Sequence, residues 1–268
     1  RPQVSSPLLH NAAVLVEDGI ISEIGSAGDI IRRHKDAEML DLKCGILMPG
    51  FINAHTHLEL GWIKRKIGAF EGFTGWLRQI IRAKREGVSD GEIEQSVRDG
   101  IGELMNTGVT TVGEISSYGG LDKPILRESG LRTVLFREVI DSRDEVADFD
   151  NFDKSRNFEE RLFPHAPYSC SPTLMGKVLD SHKKNEVPIA IHLGESPEEI
   201  EFIRRKANSI EGEIFPLIGK RPFDRSRADT PLSYLKTLGF LENTSLTAIH
   251  MVHVSADEIA DIEKSGMG

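Results

Sequence analysis

Apolar and polar residues alternate over short runs in the opening segment of the chain. Residues 13–25 predict two short strands joined by a turn at Asp18-Gly19, because Asp-Gly between alternating runs favours a tight hairpin. A third short strand is predicted from Ala37 to Leu42. A small sheet of this kind needs a partner to bury its face. We therefore expect residues 1–48 to form a partial β domain.

From Pro49 onward, apolar runs of strand length alternate with segments whose apolar residues recur at helical spacing. The predicted strands are 51–57, 109–115, 131–140, 161–166, 187–193 and 246–250. Capping boxes predict helix starts at Ser89–Glu92, Ser196–Glu199 and Ser255–Glu258. Strands that alternate with helices indicate a parallel sheet with right-handed crossovers.

Two α/β architectures fit this alternation, an open doubly wound sheet and a (β/α)8 TIM-like barrel. No Gly-x-Gly-x-x-Gly follows the first strand and no Gly-x4-Gly-Lys-Ser/Thr loop occurs, which favours the barrel. Six strands do not close a barrel of eight, and about 220 residues follow Pro49 where a typical barrel has about 250. We expect residues 49–268 to form a barrel that is incomplete at its C-terminus.

Charge, apolar run length and cysteine content limit the binding partners and the cellular compartment that we expect. The net charge is -9, and lysine and arginine are scattered, which argues against a nucleic-acid partner. No apolar run approaches the roughly 20 residues of a membrane-spanning helix, so no membrane partner is expected. The two cysteines, Cys44 and Cys170, argue against a disulfide framework and predict a cytoplasmic protein.

Three histidines lie at the predicted strand ends, which all point to one mouth in a barrel. His55 and His57 are two residues apart, so on a strand they face the same way and suit a divalent ion such as zinc. Two histidines with unrelated roles in a loop would give the same His-x-His sequence. His192 ends an apolar strand, where a single histidine is more often a core residue. Beside two other candidate ligands, it is expected to bind the metal.

Other polar residues at the same ends are candidates for catalysis or substrate binding. Glu195 is a candidate proton shuttle for a metal-activated water, although a carboxylate at a helix N-terminus is also favoured by the helix dipole. His165 lies in a proline-rich loop and either contacts substrate or forms a structural turn. His250 is expected to polarise substrate or orient water, and His253 to lie beside the site. Glu114 and Arg137 end two further strands.

Competing hydrolase schemes lack their motifs. Neither the Gly-x-Ser-x-Gly elbow of acyl-enzyme hydrolases nor the His-Glu-x-x-His of zincins occurs. His57-Leu58-Glu59 matches half of the zinc nucleobase deaminase motif, but the Pro-Cys-x-x-Cys half is missing.

Four segments together resemble the amidohydrolase superfamily, specifically its cytosine/adenosine-type deaminase and chlorohydrolase branch. They are Pro49–His57, Pro164–Pro172, Ile191–Glu195 and Ala248–His253. The resemblance implies one divalent metal ion, zinc or alternatively iron, held by His55, His57 and His192. It also implies that the opening segment is part of a small β-sandwich. The family's further ligand, an aspartate ending strand eight, has no match after His250, so we expect an isolated chain to be inactive.

By the same resemblance, the activity is hydrolytic deamination of a purine (adenine) nucleoside-type small molecule, with release of ammonia. Glu195 would be the acid/base, His250 would orient water or substrate, and His165 would contact substrate. The stretch 58–77 resembles the loop of deaminases for adenine nucleosides with extended 5′ groups. Candidate contacts there and on strand three are as follows: Glu71 to ribose hydroxyls, Trp62 or Phe73 to the base and Arg137 to a substrate carboxylate. Each also has an ordinary packing or surface interpretation.

Two alternatives stay open on the sequence. One is a chlorohydrolase or cyclic-amide hydrolase of the same branch, although Glu195 favours deamination. The other is a catalytically dead barrel that acts as a binding module. A homo-oligomer is compatible with either.

Overall fold

The computed structural model describes residues 8–141, 149–225, 228–242, 245–265 and 267–268. Tertiary contacts divide the chain into two compact units, Arg1–Pro49 and Gly50–Gly268. Of the helices in the described residues, none combines the length and the hydropathy needed to cross a membrane.

The first unit contains the predicted hairpin. Strands β1 (Ala12–Glu17) and β2 (Ile20–Ser26) pair antiparallel, with a register shift between Leu15 and Val16. Asp18 and Gly19 have φ of 51° and 72°, the left-handed pair that a tight hairpin turn needs. Helix α1 (Ala27–Arg33), which the sequence pattern did not predict, follows directly.

The predicted third strand over residues 37–42 is wrong. These residues form bends and irregular structure, and Met39, Leu40 and Leu42 are 66%, 83% and 51% exposed. A strand needs hydrogen-bonded neighbours, and among the described residues the sheet of this unit contains β1 and β2 alone. Alternation of apolar residues was therefore insufficient to predict a strand here.

The second unit alternates strands with helices. Its strands are β3 (Phe51–Thr56), β4 (Val109–Ser116), β5 (Arg132–Val139), β6 (Phe158–Pro164), β7 (Ile189–Leu193) and β8 (Leu246–His250). Its α-helices are α2 (Gly72–Glu86), α3 (Asp90–Asn106), α4 (Asp122–Glu128), α5 (Pro172–Asn185), α6 (Pro197–Ile203), α7 (Phe215–Ile218), α8 (Pro231–Thr237) and α9 (Ala256–Ser265). A 3-10 helix spans Leu58–Ile63 and a π-helical turn spans Ile210–Ile214.

The six strands form one parallel sheet in chain order, β3 to β8. In a flat sheet the outer strands would lie roughly 24 Å apart, five strand spacings. Instead, the ring centroids of His55 on β3 and His250 on β8 are 5.4 Å apart. The sheet is therefore curled like a TIM-like barrel, which confirms the predicted fold class and all six predicted strands.

Alternation along β7 shows how the core is divided. Ala190 packs inside the curled sheet with Ile115, Phe136 and Phe163. The intervening Ile189, Ile191 and Leu193 pack outward against α5 and α8. His192 is two residues beyond Ala190, and so it faces the interior above this apolar layer.

The predicted capping boxes differ in completeness. At α3 and α9, serine and glutamate bond reciprocally: Ser89 with Glu92, and Ser255 with Glu258. At α6, Ser196 accepts the Glu199 backbone N–H at 3.3 Å, but the Glu199 carboxylate accepts the N–H of Glu195 instead. That exchange ties the helix start to a candidate catalytic residue.

Candidate active site

Three histidines from two strands meet at the carboxyl end of the sheet. One ring nitrogen each from His55, His57 and His192 lies within 4.8 Å of the other two. The His55 ring centroid is 4.9 Å from that of His57 and 5.0 Å from that of His192. His55 and His57 share a face of β3 because side chains alternate along a strand. This clustering makes the three residues a candidate site for a shared metal ion.

Burial keeps these imidazoles neutral. It lowers the pKa of His55 to about 4 and that of His57 to about 3, and it places the pKa of His192 well below 6.5. Neutral imidazoles are the form that binds divalent metal. Among the described residues, Nδ1 of His55 is buried and has no hydrogen-bond partner. Three neutral imidazoles, one of which has a buried nitrogen without a hydrogen-bond partner, fit a divalent metal such as zinc.

A buried glutamate supports the carboxyl end of β3 and the residues that follow it, Thr56 to Glu59, which we call the β3 end. Thr56 lies between the two histidines on the opposite face, and its hydroxyl bonds to the carboxylate of Glu114 on β4. That carboxylate also accepts the backbone N–H of Leu58 at 2.8 Å and of Glu59 at 3.4 Å. Burial raises the pKa of Glu114 to about 8. The residues on both sides of His57 are thus held by one carboxyl group.

Two more buried acids extend this arrangement. Glu59 accepts the backbone N–H groups of Ser117 at 2.6 Å and Tyr118 at 3.1 Å. Asp122 accepts the hydroxyl of Ser116 at 2.7 Å. Burial raises the pKa of both acids, that of Glu59 to about 8. These bonds join the 3-10 helix after β3 to the end of β4.

The β7 end positions Glu195. Gly194 has φ of +61°, and a Cβ there would lie 3.3 Å from the carbonyl oxygen of His253, so the turn suits glycine. The Glu195 N–H donates to the buried Glu199 carboxylate at 2.9 Å. Burial raises the pKa of Glu199 to about 8 and that of Glu195 to about 7. A carboxyl group with a pKa near 7 can both accept and donate a proton at neutral pH.

A backbone kink brings His250 into the cluster. Ala248 of β8 packs outward and Ile249 inward, so alternation alone would direct His250 outward. Its φ of +81° is unusual for a residue with a side chain. With this kink, its ring centroid lies 5.2 Å from that of His192, and Nε2 lies 3.6 Å from Oε1 of Glu195.

Backbone bonds hold that kink. The N–H of Met251 donates to the carbonyl of Leu193 at 2.9 Å, and the N–H of His253 donates to that of Gly194 at 2.9 Å. His253 is tied to the β7 end through its backbone and is not among the residues that line the central cavity.

His165 follows β6 and contacts the same cluster. Its ring centroid is 5.0 Å from that of His192, and its Nδ1 is 2.7 Å from the hydroxyl of Ser169. The Ser169 hydroxyl also lies 3.1 Å from the carbonyl oxygen of Ala166. Nε2 of His165 is 3.9 Å from Oε1 of Glu138 on β5.

These side chains line one cavity of about 810 Å³, within the size range of ligand pockets. The structure brings six of the predicted site residues together there: His55, His57, His165, His192, Glu195 and His250. Apolar side chains also line this cavity: Leu60, Ile63, Ile67, Trp76, Leu77, Ile80, Ile81, Ile214, Phe215 and Ile218.

Three predicted substrate contacts lie outside that lining. Trp62 packs with the cluster around Ile63 and Ile80, and Lys66 stands 4.6 Å above its ring. Glu71 is exposed and lines a separate surface pocket. Arg137 lies two residues beyond the outward-facing Leu135 of β5, and its guanidinium stacks 4.3 Å from the ring centroid of Phe152.

Several lining residues were not predicted. Glu138 lies two residues beyond the inward-facing Phe136, so alternation along β5 would have identified it. Lys84 and Arg85 lie at the end of α2, more than twenty residues after the histidine pair, where no motif indicates a site. Ser117 and Tyr168 also line the cavity, and the ring of Tyr168 contacts that of His165.

Sequence comparison finds related enzymes. The chain is 28% identical over 271 residues to the 5′-deoxyadenosine deaminase of Methanococcus aeolicus, covering 95% of this chain and 58% of that protein. It is 30% identical over 280 residues to the 5-methylthioadenosine/S-adenosylhomocysteine deaminase of Thermodesulfovibrio yellowstonii, covering 97% of this chain and 58% of that protein. The chain thus spans little more than half the length of these relatives.

Structural comparison supports the fold. Helicobacter pylori aminofutalosine deaminase, solved in complex with methylthio-coformycin, aligns with a TM-score of 0.78 at 22% identity. The alignment covers 96% of this chain and 63% of that one. The sequence pattern that defines the amidohydrolase family matches residues 46–268. The chain belongs to the amidohydrolase family.

Proposed function

We propose that the protein containing this chain is a metal-dependent deaminase of an adenine nucleoside-type small molecule. The observation that carries this proposal is the clustering of three neutral histidines with Glu195 and His250 in one cavity. The relatives named above are deaminases of 5′-deoxyadenosine, methylthioadenosine and S-adenosylhomocysteine, which supports the substrate class.

His55, His57 and His192 would hold one divalent metal, zinc by preference and iron as the alternative. When bound, such a metal lowers the pKa of a coordinated water toward 7 and stabilises developing negative charge. Glu195 takes one proton of the attacking water and delivers it to a ring nitrogen of the substrate. The second proton of that water passes to the amino group, which leaves as ammonia as the new carbonyl forms. His250, 3.6 Å from Glu195, orients the attacking water.

The surroundings of His165 suit a substrate contact. If the Ser169 hydroxyl donates to the Ala166 carbonyl, it accepts from Nδ1–H of His165, which leaves Nε2 as an acceptor toward the cavity. The free thiols of Cys44 and Cys170 support a cytoplasmic location. A homo-oligomer stays a prediction.

Substitution of Glu195 by glutamine tests the acid/base role in the full-length protein. The amide keeps the side chain's shape but cannot carry the proton, so turnover falls about 10²–10⁴-fold. Ammonia release is measured with adenosine, 5′-deoxyadenosine and methylthioadenosine, and bound metal is measured on the same sample. Metal content stays at the wild-type level because Glu195 is not among the three ligands.

Glu201→Gln, an exposed change on helix α6, which follows Glu195, serves as the matched control and keeps wild-type turnover. Near-normal turnover in Glu195→Gln contradicts its assigned role. Wild-type protein that releases chloride or opens a cyclic amide, but yields no ammonia, supports the alternative hydrolase. A wild-type protein without bound metal or turnover supports a binding module.

A further inference from the structure

Two consecutive glutamates in the first turn of α6 hold two different elements of the site. Glu199 accepts the backbone N–H of Glu195, the candidate acid/base, at 2.9 Å. Glu198 accepts the backbone N–H of Phe73, at the start of α2, at 3.1 Å. Consecutive residues of a helix project about 100° apart, so their side chains can reach separate elements. The first turn of α6 therefore connects the acid/base with a second helix.

The start of α2 needs an acceptor from elsewhere. The first N–H groups of a helix have no partner within the helix itself. In the part of the chain that the structure describes, the side chain of Glu71, which precedes α2, makes no capping bond to them. Glu198 therefore caps α2 from 125 residues away along the chain. The helix dipole also favours a carboxylate at this position.

The backbone at the start of α2 allows this contact. Gly72 has a φ of +64°, a conformation that residues with a side chain rarely adopt. A Cβ at Gly72 would lie 3.0 Å from Oε1 of Glu198, tighter than an ordinary Cβ contact. The glycine thus lets the carboxylate approach the helix start closely. The cap therefore depends on a residue of α2 as well as on Glu198.

The capped helix contributes apolar side chains to the cavity. We call these side chains the α2 wall: Trp76, Leu77, Ile80 and Ile81. Phe73 is not among the residues that line the cavity, but its ring centroid lies 5.9 Å from that of Tyr168, which does line it. The Tyr168 ring centroid is in turn 5.7 Å from that of His165. Glu198 thus holds a residue that packs directly behind the cavity lining.

Another polar contact of α2 constrains it less. The guanidinium of Arg78 lies 3.0 Å from the carboxylate of Glu213, but these side chains are 42% and 44% exposed. An exposed ion pair contributes little to stability, because water and salt screen it. Glu198 is only partly exposed, and it binds a backbone donor whose position is fixed by the helix. Of these two contacts, the Glu198 bond is the stronger constraint on the position of α2.

We propose that Glu198 is a positioning residue that fixes the α2 wall relative to the turn carrying Glu195. This inference rests on the proposed function for the identity of the substrate, a nucleoside. It assigns separate tasks to the two glutamates. Glu199 positions the acid/base, which determines turnover, whereas Glu198 positions the α2 wall, which determines binding.

Steady-state kinetics of the full-length, metal-loaded protein test this division. Glu198→Ala leaves the N–H of Phe73 without its acceptor and lets α2 shift. KM for 5′-deoxyadenosine therefore rises by about tenfold, the value of roughly one hydrogen bond to a charged group. kcat stays close to the wild-type value, because Glu199 still holds Glu195 and because loss of uniform binding raises KM alone. Glu198→Gln keeps an acceptor oxygen and restores most of the wild-type KM.

Two further variants make the test specific. Glu201→Ala, an exposed change on α6, is the matched control and keeps the wild-type KM. Gly72→Ala places a Cβ against the Glu198 carboxylate from the α2 side, so it raises KM as Glu198→Ala does. A protein that is merely destabilised loses active enzyme, which lowers the apparent kcat and leaves KM unchanged.

Three kinetic results overturn the proposal. The first is an unchanged KM in Glu198→Ala or in Gly72→Ala. The second is a fall in kcat at constant KM. The third is an equal rise of KM in Glu198→Ala and Glu198→Gln, because the amide retains the acceptor that the proposal invokes.

Calorimetric binding of 5′-deoxyadenosine separates this inference from the proposed function. Absence of ammonia from every substrate contradicts the deaminase, but a Kd that rises in Glu198→Ala and recovers in Glu198→Gln still supports the positioning role. Hydrogen exchange reports on the helix itself: the amides of residues 72–76 exchange faster in Glu198→Ala than in wild type or Glu201→Ala, because the cap is lost. Equal exchange in all three proteins, or a wild-type protein that binds no nucleoside, overturns the inference.

Discussion

The β3 end and the β7 end both deliver metal-ligand candidates, and both are held by a buried glutamate. Glu114 accepts backbone N–H groups next to His57, and Glu199 accepts the N–H of Glu195 after His192. Burial raises the pKa of both glutamates to about 8. The two glutamates differ in their separation along the chain from the residue they hold: Glu199 is four residues from Glu195, whereas Glu114 is 56 residues from Leu58.

That difference has a structural consequence. The β7 end is organised locally, by a turn and the first residues of α6. The β3 end depends on the pairing of β3 with β4, because Glu114 lies on the neighbouring strand. We infer that disturbing Glu114 affects both the ligand geometry and the sheet, whereas disturbing Glu199 mainly affects Glu195.

Glu114→Ala is expected to have the largest effect on stability. It removes a fully buried side chain and leaves the N–H of Leu58 without its acceptor, which destabilises the protein by about 2–5 kcal/mol. Urea unfolding of the full-length protein measures this loss. Metal affinity falls as well, because His57 lies between the residues that Glu114 holds. Unchanged stability and unchanged metal affinity would contradict the role of Glu114.

Glu199→Ala also removes a buried side chain, but its expected effect on stability is smaller, about 1–3 kcal/mol, because one backbone donor loses its acceptor instead of two. Its functional effect is more specific. Displacement of Glu195 lowers kcat by about tenfold, which corresponds to the free energy of about one hydrogen bond. The metal content is preserved. Steady-state kinetics and metal analysis on one sample check this pair of results. A variant that loses metal but keeps its kcat per bound metal would show that Glu199 acts on the ligands instead.

The pH dependence of stability gives the most general comparison. Glu114 and Glu199 keep their protons to about pH 8 when folded but lose them near pH 4.5 when unfolded. The folded state therefore binds more protons between these values, and stability falls as pH rises, by at most about 1.4 kcal/mol per pH unit for each group. Above about pH 8 these contributions are flat.

Glu114→Gln removes one such contribution without removing the acceptor. The amide oxygen can accept from Leu58, and its N–H can donate to Thr56, whose hydroxyl lies 3.2 Å from the Gly113 carbonyl oxygen. Melting temperatures at pH 5 to 8 should show the variant gaining on the wild type as pH rises. A constant difference across that range is the opposing result. Glu199→Gln provides the equivalent comparison at the β7 end.

Sequence patterns predicted the parts of the site that depend on local rules. Alternation along a strand paired His55 with His57, and the parallel arrangement of strands placed His192 and Glu195 at the same end. The same alternation would have found Glu138. It predicted a false strand at residues 37–42, because strand formation also requires a hydrogen-bonded neighbour that the pattern does not reveal.

Other parts depended on long-range or unusual backbone geometry. The inward direction of His250 requires a positive φ at a histidine, which no sequence pattern indicates. Trp62 and Arg137 are not among the residues that line the cavity. Trp62 packs against the cluster that contains Ile80, and Arg137 stacks on Phe152, contacts set by tertiary structure. Ser196 predicted a helix start correctly, but the pattern did not show that Glu199 would bind Glu195.

Metal content tests the central claim most directly. Full-length wild-type protein, Glu195→Gln, His55→Asn and His192→Asn are prepared identically, and the metal bound per chain is measured by elemental analysis. We predict about one divalent ion per chain in the first two. Both histidine variants bind less metal, because their metal affinity falls by about 10-fold or more, roughly the loss caused by removing residues that support a metal ligand. Wild-type protein without stoichiometric metal, or histidine variants that retain it fully, would contradict the assignment of this site.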